Sequence, residues 1–596
     1  MALATVSLDD KYVLDSGRIY LTGSQALVRL PILQRRRDLA AGLNTACFVS
    51  GYRGSPMHAL DQQLWRAPKV VKENHIHFLP AVNEDLAATS IWGSQQTGLF
   101  GDGKYDGVFS MWYGKGPGLD RSVDAIRHAN LAGTSKHGGV LALAGDDHGM
   151  RSSDVPAHCE PTFEDLMMPV LYPANVQEVL DLGLYGFAMS RFCGAWVGFK
   201  MVFETVDTSV SVDADHSRIE IVIPDFEFPE AGPHIRLPDS WNLHERRLRE
   251  VKLPAALAFA RANGLNRVTL ESQKPRFGIV AAGKGWLDVR QALRELGLDD
   301  RTAADLGITV FKVGMPFPQD LDAYRAFADG LDEILVVEEK REQIERAVKD
   351  ACYALPEGRR PRITGRHDED GRQQLDPVGE LSPEAITRVL ARRIARFHDS
   401  ERISARLAFL DAQAKRRESL PGIGLNRLPY FCSSCPHNTS TKVPEGSRGQ
   451  GGVGCHFMST YMDRNVFTHT HMGGEGATWL GQAPFVETEH VFQNMGDGTY
   501  FHSGLLAIRA AAAAKARITY KILFNDAVAM TGGQPVDGPI TVPAITHQVA
   551  AEGVGRIAVV SDEPEKYPVG TNFAPGVTIH HRNALDEIQR DLRQWP

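Results

Sequence analysis

The sequence predicts an α/β protein built from several doubly wound parallel-sheet domains. Short apolar runs such as TACFVS, GVFSMWY and GGVLALA each end at a Gly-rich turn, and helical periodicity follows each turn. This alternation is typical of parallel sheets whose ligands bind beyond the carboxyl ends of the strands. At 596 residues, the chain is long enough for about four domains of about 150 residues each.

The composition narrows the class of protein. Hydrophobic residues make up 43% of the chain and charged residues 23%, as in ordinary soluble globular proteins. The net charge of −8 provides no basic field for nucleic acid. The N-terminus lacks a secretory signal, and no apolar stretch reaches the about 18 residues that a membrane span requires. We therefore expect a cytoplasmic protein with neither a nucleic-acid nor a membrane partner.

The pattern of elements divides the chain into five predicted segments. Residues 1–230 and 273–358 each alternate strand-like and helical runs, so each is predicted to form an α/β domain. Residues 231–272, which are punctuated by prolines, and residues 359–425, which are helical, are predicted to be connectors. Residues 426–596 contain three clustered cysteines and a last α/β run.

One stretch combines an acidic turn with a distant asparagine. Gly496-Asp497-Gly498 follows an apolar run, and Asn525 follows the predicted strand ITYKILF after 26 intervening residues. A parallel βαβ crossover returns the chain to the same edge of the sheet, so Asp497 and Asn525 should lie close together. Oxygen ligands beside flexible glycines suit a Mg²⁺–diphosphate site. The alternative is a routine turn that Asp497 caps.

Three of the seven cysteines form a second motif. Cys432 and Cys435 have the CxxC spacing, and Cys455 follows 20 residues later. In a reducing cytosol such a group is expected to bind a metal or do redox chemistry rather than to cross-link. A zinc site would need a fourth ligand such as His437 or His456, whereas an iron–sulfur cluster usually has four cysteines. No cysteine follows Cys455, and the spacing leaves both possibilities open, together with no metal at all.

The motif GDG, 26 residues, then Asn resembles the thiamin diphosphate signature. The resemblance implies that Gly496 and Gly498 contact the cofactor. It also implies that Asp497, Asn525 and the backbone carbonyl of Ala527 ligate Mg²⁺.

The thiamin domain of the 2-oxoacid:ferredoxin oxidoreductases resembles this chain in the order of its motifs, which is CxxCPH, GCH, GDG and AMTGGQP. The fused type of indolepyruvate ferredoxin oxidoreductase is similar in three longer stretches, which are MGGEG, GDGTYFHSG and NDAVAMTGGQPVDG. GYRGSP and DDHGMRSS are similar to the pyrimidine-binding domain of that family. GIVAAGKGWLDV and ILVVEE are similar to its transketolase C-terminal-like domain. The resemblance thus covers nearly the whole chain. It implies a pyrimidine domain at 1–230, a transketolase C-terminal-like domain at 273–358 and a diphosphate domain at 426–596.

The same resemblance implies roles for further residues. Glu84, in PAVNEDLAAT, would be the catalytic acid that activates the cofactor; the alternative is a helix-start acid stabilised by the helix dipole. Arg53 and Ser55 are candidates for contact with cofactor or substrate, and the alternative is a surface turn. His437 and His456 would contact the diphosphate or order the metal ligands. His469, His471 and Glu475 are further candidates without an assigned role, and the alternative is a core or solvent position with no function.

The implied reaction is the oxidative decarboxylation of an aryl, indolepyruvate-like 2-oxo acid with coenzyme A. Electrons would pass through a [4Fe-4S] cluster, held by Cys432, Cys435 and Cys455, to ferredoxin or a similar acceptor. The family has a fourth cluster cysteine and a further domain beyond the thiamin motif, so we expect a further domain or subunit within a homodimer or hetero-oligomer. Two alternatives stay open: a non-redox thiamin-dependent decarboxylase or carboligase with structural zinc, and a non-catalytic scaffold subunit.

Overall fold

The computed structural model describes residues 6–151, 153, 155–419, 428–536 and 538–595. The chain divides into two compact units, Met1–Pro421 and Gly422–Pro596. Each unit contains helices packed on predominantly parallel sheets, so the predicted α/β class is confirmed.

The first sheet of the larger unit has six parallel strands. Their spatial order is Ile76–Phe78, Thr45–Gly51, Gly107–Lys115, Val140–Asp146, Val197–Val202 and Val170–Leu171. Along the strand Gly107–Lys115, Phe109 and Met111 face one apolar core and Trp112 faces the other. Burial of both faces explains why the strands are continuously hydrophobic.

Helices cover both faces of this sheet, and a short antiparallel pair, Arg18–Thr22 with Ser209–Asp213, lies beside it. The helices are Asp10–Val13, Gly23–Ala40, Leu60–Arg66, Pro68–Glu73, Glu84–Ser94, Gly116–Ala132, Cys159–Asp165, Val176–Cys193 and Phe203–Asp207, with a 3₁₀ turn at Met57–Ala59. A connecting segment follows, with Trp241–Arg247, a π-helical turn at Leu248–Lys252 and Leu253–Ala262.

The second sheet of the larger unit has five strands. Their spatial order is Arg362–Thr364, Glu333–Val337, Phe277–Ala282, Ile308–Val313 and Asn266–Leu270, the last of which is antiparallel. Its helices are Gly283–Glu295, Asp300–Asp305, Leu321–Phe327, Gln343–Tyr353, Pro383–Ile394 and Glu401–Ser419, with a 3₁₀ turn at Glu357–Arg359.

Both edge strands of this sheet fall in segments that the sequence analysis treats as connectors. Asn266–Leu270 lies within 231–272, and Arg362–Thr364 lies within 359–425. The helix Pro383–Ile394 also packs its buried face into the core of this sheet. Edge strands of three to five residues carry little hydrophobic pattern of their own, which is why the sequence did not reveal them.

The smaller unit contains a four-stranded parallel sheet in the order Val466–Phe467, Arg448–Gln450, Val491–Gly496 and Ile518–Leu523. A parallel pair, Ala558–Ser561 with Thr578–His581, forms separately. The helices are His437–Ser440, Ala477–Gln482, Asp497–Thr499, a π-helical turn at Tyr500–Gly504, Leu505–Ala513, Val542–Ala551 and Leu585–Gln594. Short 3₁₀ helices are Cys455–Tyr461, Ala483–Phe485, Ala529–Thr531, Pro564–Lys566 and Arg582–Ala584.

Among the described helices, none combines the length and the apolar character that crossing a bilayer requires.

Candidate functional site

In the smaller unit, Asp497 and the turn that begins at Asn525 meet at the carboxyl edge of the sheet. Asp497 starts the helix after Val491–Gly496, and Asn525 follows the neighbouring parallel strand Ile518–Leu523. The Oδ2 atom of Asp497 accepts the backbone N–H of Asn525 at 2.8 Å and that of Asp526 at 2.6 Å. The side chain of Asp497 is only 2% exposed, so this carboxylate holds the turn from inside the protein.

Burial raises the pKa of Asp497, while backbone N–H groups of Asn525, Asp526, Gly498 and Ala527 act in the opposite direction. Oδ1 accepts the N–H of Gly498 at 2.9 Å. A buried carboxylate whose neighbours are backbone donors is a suitable centre for a hard cation, because the cation replaces the missing positive charge. Asn525 meets Asp497 through its backbone N–H, and the residue is exposed.

Two histidines flank this edge. His456 is 2% exposed, and a Cβ added to Gly496 would lie 3.9 Å from its Cε1 and Nδ1 atoms. Burial lowers the pKa of His456 to about 4, with a further contribution from His437, so its imidazole is neutral. Within the described residues, its buried Nε2 has no hydrogen-bond partner. An orphaned polar atom at this position fits an oxygen of a bound diphosphate.

The second histidine, His437, joins the cysteine motif to the turn. Its Nε2 lies 3.2 Å from the carbonyl oxygen of Phe524, the residue that precedes Asn525. Because a carbonyl only accepts, Nε2 carries the proton. Burial lowers the pKa of His437 despite this hydrogen bond and the charge of Asp497.

Glu475 organises the glycine-rich loop beside this site. Its carboxylate accepts the N–H of Gly473 at 2.7 Å and that of Val453 at 3.3 Å, and the residue is fully buried. The hydroxyl of Thr499 also holds the loop that contains Val453, because it donates to the Val453 carbonyl at 3.1 Å. The sequence left Glu475 without a role because the two backbone groups that it binds lie in different loops. His469 and His471, by contrast, are exposed.

The three cysteines of the motif lie in one neighbourhood. Burial raises the pKa of the Cys455 thiol, and the charges of Cys432 and Cys435 add to that increase. The three thiols do not, however, lie within 4.8 Å of one another, since the described chain contains no such group at these positions. A single Zn²⁺ with Zn–S bonds of about 2.3 Å holds its sulfurs within about 4 Å of each other. At least one pair of these thiols therefore lies farther apart than two ligands of one bound Zn²⁺.

In the larger unit, Glu84 lies in a tight pocket at the start of the helix Glu84–Ser94. The Asn83 side chain caps this helix by accepting the N–H of Leu86 at 3.0 Å, and the carbonyl of Glu84 accepts Trp112 Nε1–H at 2.9 Å. Glu84 is 4% exposed. A Cβ added to Gly118 would lie 2.8 Å from Glu84 Cγ and 2.9 Å from Oε1. Because Gly118 has no side chain, there is room for the carboxyl group of Glu84.

Arg53 is buried and does not lie on a surface turn, so that alternative is wrong. Its Nε atom lies 3.3 Å from Asp61 Oδ2, and both side chains are fully buried. The guanidinium also stacks on the rings of Tyr52 and Trp65. Ser55 is half-buried, and its carbonyl accepts the Ser153 hydroxyl at 3.4 Å. The GYRGSP loop is thus held rigidly by its own arginine.

A buried ionic network that the sequence analysis missed lies at the carboxyl edge of the first sheet. Lys200 Nζ donates to Glu160 Oε1 at 2.6 Å and lies 3.4 Å from Asp146 Oδ2. His148 pairs through Nδ1 with Glu339 of the second sheet. Burial and the Lys200 charge lower the pKa of His148, but Glu339 and Asp146 outweigh them and raise it to about 9. The network thereby joins the two sheets of this unit.

Asp146, Cys159 and Glu160 in this network have ligand atoms within 4.8 Å of one another. The Lys200 ammonium already supplies their positive charge, so the group has no vacancy for a metal ion. Lys200 is 40 residues from Glu160, and no local sequence pattern indicates their contact.

Two stretches of the chain match known protein families. Residues 452–557 match the C-terminal thiamine pyrophosphate (thiamin diphosphate) binding domain of thiamine pyrophosphate enzymes, and residues 267–418 match the indolepyruvate oxidoreductase domain. Together with the α/β fold, these matches define the chain as a thiamin diphosphate-dependent oxidoreductase.

Curated relatives cover most of the chain. Indolepyruvate oxidoreductase subunit IorA of Methanothermobacter marburgensis is 26% identical across 99% of this chain and 87% of the relative. IorA of Thermococcus kodakarensis is 25% identical across 91% of this chain and 81% of the relative. Over most of its length the chain is therefore similar to indolepyruvate oxidoreductases, and it contains a stretch that matches a thiamine pyrophosphate binding domain.

Among solved structures, the chain is similar to 2-oxoglutarate:ferredoxin oxidoreductase from Magnetococcus marinus, with a TM-score of 0.46 and 15% identity. That likeness covers 63% of this chain and 65% of the other.

Proposed function

We propose that this chain catalyses the oxidative decarboxylation of an aryl, indolepyruvate-like 2-oxo acid, with coenzyme A as acyl acceptor and ferredoxin or a similar protein as electron acceptor. The observation that carries the proposal is the arrangement around Asp497. A buried carboxylate holds the turn at Asn525–Ala527, and the neutral, orphaned His456 lies against Gly496. This arrangement fits Mg²⁺ and the diphosphate of thiamin diphosphate.

In this proposal, the Asp497 carboxylate, the Asn525 side-chain oxygen and the Ala527 carbonyl would hold Mg²⁺. The N–H groups that Asp497 now accepts fix the backbone of the turn. Gly496, Gly498 and His456 contact the diphosphate. His437 orders the turn through the Phe524 carbonyl.

Thiamin diphosphate supplies an electron sink beside the carbonyl carbon of the substrate. The chain's own contribution would be Glu84, whose carboxyl group would hydrogen-bond the pyrimidine of the bound cofactor and hold a proton there. Burial favours the protonated form of a carboxyl group, which is the form that donates such a hydrogen bond. The cap at Asn83 and the close approach of Gly118 fix the direction of Glu84. Ser55, in the rigid GYRGSP loop, is a candidate contact for cofactor or substrate.

Cys432, Cys435 and Cys455 would bind a [4Fe-4S] cluster that removes electrons one at a time. The proximity of the three cysteines supports this proposal, and the structural zinc of a non-redox decarboxylase is the alternative that iron and zinc analysis would distinguish. A fourth ligand would come from a further domain or subunit, and the relatives' description as oxidoreductase subunits supports such a partner.

Asp497→Asn and Asp526→Asn form a matched pair of variants, since both lose one charge at the same edge. Asp526 is exposed, and asparagine tolerates its left-handed backbone with φ of 57°. The complete complex, prepared anaerobically, would be assayed for bound thiamin diphosphate, Mg²⁺, iron and sulfide. Its 2-oxo-acid-dependent reduction of an artificial acceptor would be measured on the same samples. We expect Asp497→Asn to lose cofactor and activity and Asp526→Asn to retain both. Equal cofactor retention by the two variants would refute the assignment of Asp497.

A further inference from the structure

A fully buried lysine lies at the amino edge of the first sheet, opposite the edge that carries Glu84. Lys252 ends the π-helical turn Leu248–Lys252 and is 0% exposed. Its Nζ lies against Gly133, which caps the C-terminus of the helix Gly116–Ala132, because a Cβ added to Gly133 would lie 2.3 Å from this nitrogen. Within the described residues, Nζ has no hydrogen-bond partner. Buried lysines are normally paired, so this one requires an explanation.

Among the described residues, the guanidinium groups of Arg247 and Arg236 act on Lys252. The imidazole of His244 is also close to Lys252. Among the described residues, the carboxylate of Asp239 pairs with Arg236, His244 and Arg247. Its Oδ2 lies 3.3 Å from Arg236 Nε and 3.4 Å from His244 Nε2, and it contacts Arg247. Two guanidinium groups therefore share one carboxylate. The group is short of one negative charge even before Lys252 is counted.

The other titratable groups near this site carry little charge. Burial raises the pKa of Cys193 to about 11 and lowers the pKa values of His234 and His244. Burial, followed by the charge of Arg247, lowers the pKa of Lys252 to about 7, so a large share of this amine is unprotonated at neutral pH. A desolvated lysine beside other cations is a nucleophilic amine.

We propose that Lys252 is a carbamylation site, at which its side-chain amine combines reversibly with CO₂ and the resulting anion pairs with Arg247 and Arg236. The nitrogen lone pair forms an N–C bond to CO₂, one C–O π bond becomes the carbamate oxyanion, and the amine releases one proton to solvent. No oxidant, reductant or metal takes part. The product places two anions, the carbamate and Asp239, against two guanidinium groups.

The burial of Lys252 favours CO₂ over a preformed anion as the occupant. CO₂ is small and uncharged, so it can enter the protein without losing a hydration shell, whereas phosphate or sulfate would pay a large desolvation cost. The same cations that disfavour the ammonium form favour the carbamate. The inference does not depend on the proposed reaction, because CO₂ can be supplied directly.

The test is ¹³C NMR of the full-length protein in its complex, equilibrated with ¹³CO₂, for the wild type, Lys252→Arg and Lys312→Arg. Arginine keeps the positive charge but cannot form the carbamate. Lys312 is the matched control, because it is equally buried but paired with Glu178. We expect a carbamate resonance in the wild type and in Lys312→Arg, and its loss in Lys252→Arg. Persistence of the resonance in Lys252→Arg would overturn the proposal.

Trapping the carbamate of the wild type with a trialkyloxonium salt, followed by peptide mass spectrometry, tests the site without any variant. The modification should map to Lys252; its absence there, or its restriction to the α-amino group, would contradict the proposal. A stability measurement complements the mapping. At ten times the half-saturating CO₂ concentration and fixed pH, the ratio of folded to unfolded wild type should rise about 11-fold. An unchanged ratio would also count against the site.

Discussion

The substitution Gly118→Ala moves the carboxyl group of Glu84 without removing it. The added Cβ would lie 2.8 Å from Glu84 Cγ, 2.9 Å from Oε1 and 3.1 Å from Cδ, whereas carbon atoms in ordinary contact are about 3.5–4.0 Å apart. Because Glu84 is the first helical residue and its backbone is held by Asn83 and Trp112, the side chain must absorb the displacement. For Cγ, that displacement is about 0.7–1.2 Å.

A misplacement of about 1 Å at a catalytic group costs about 100-fold in rate. We therefore expect Gly118→Ala to lower kcat for 2-oxo acid oxidation about 10- to 100-fold. Residue 118 lies in the helix Gly116–Ala132, where alanine is a better helix former than glycine, so stability should not fall for reasons of propensity.

The assay is steady-state turnover of the anaerobic complex with an artificial electron acceptor, with thermal unfolding and bound thiamin diphosphate measured on the same protein. Gly93→Ala is the control, because no atom lies within 4 Å of a Cβ at that exposed position of the Glu84 helix. Wild-type kcat in Gly118→Ala, with normal folding, would refute the role assigned to Glu84.

Three further predictions concern Glu84, Glu475 and the Glu339–His148 pair. Glu84→Gln should retain the cofactor but lower kcat about 10²- to 10⁴-fold. Asp85→Asn, in the same helical turn, should keep a kcat close to that of the wild type. Similar losses of kcat in both variants would mean that the acids act by stabilising the start of the helix, not by catalysis. Glu475→Gln should weaken thiamin diphosphate binding about tenfold or more in a titration. The reason is that a buried acceptor for two backbone N–H groups is worth about 1–3 kcal/mol. The control variant Glu489→Gln, at an exposed position, should bind the cofactor as the wild type does. His148 has its pKa raised to about 9 from an ordinary value of about 6.5, so its stabilisation of about 3 kcal/mol is complete below about pH 6.5 and is lost as the pH rises through about 9. The difference in unfolding free energy between the wild type and Glu339→Gln should shrink across that window, and a constant difference in urea unfolding would contradict the pairing.

The contact between Asp497 and the Asn525 turn was within reach of sequence reasoning. The strand Val491–Gly496, the helix after it and the strand Ile518–Leu523 each carry a local pattern, and the geometry of a parallel crossover then brings residues 497 and 525 to one edge. Phe109 and Met111 face one core and Trp112 faces the other, as the two-residue period of a strand predicts. Short-range patterns thus account for the fold class and for the outline of this site.

Other features depend on partners that are distant in sequence. Nothing near His148 indicates that it pairs with Glu339, and nothing near Lys252 indicates that it lies against Gly133. Arg53 is buried against Asp61, which lies on the next helix. The glycine-rich sequence around Arg53 does not indicate this contact. Edge strands such as Asn266–Leu270 are defined by hydrogen bonds to a neighbour rather than by a hydrophobic run. Such features depend on tertiary structure, and sequence patterns alone do not identify them.

The central claim is that a thiamin site at Asp497 delivers electrons from a 2-oxo acid to a cluster bound by Cys432, Cys435 and Cys455. The most direct measurement is electron paramagnetic resonance of the anaerobic complex, loaded with thiamin diphosphate and Mg²⁺ and then mixed with indolepyruvate, with released CO₂ quantified in parallel. The account predicts CO₂ release together with the signal of a reduced iron–sulfur cluster, both absent in Asp497→Asn. Release of CO₂ from a complex whose cluster stays oxidised, or that contains zinc in place of iron, would contradict it.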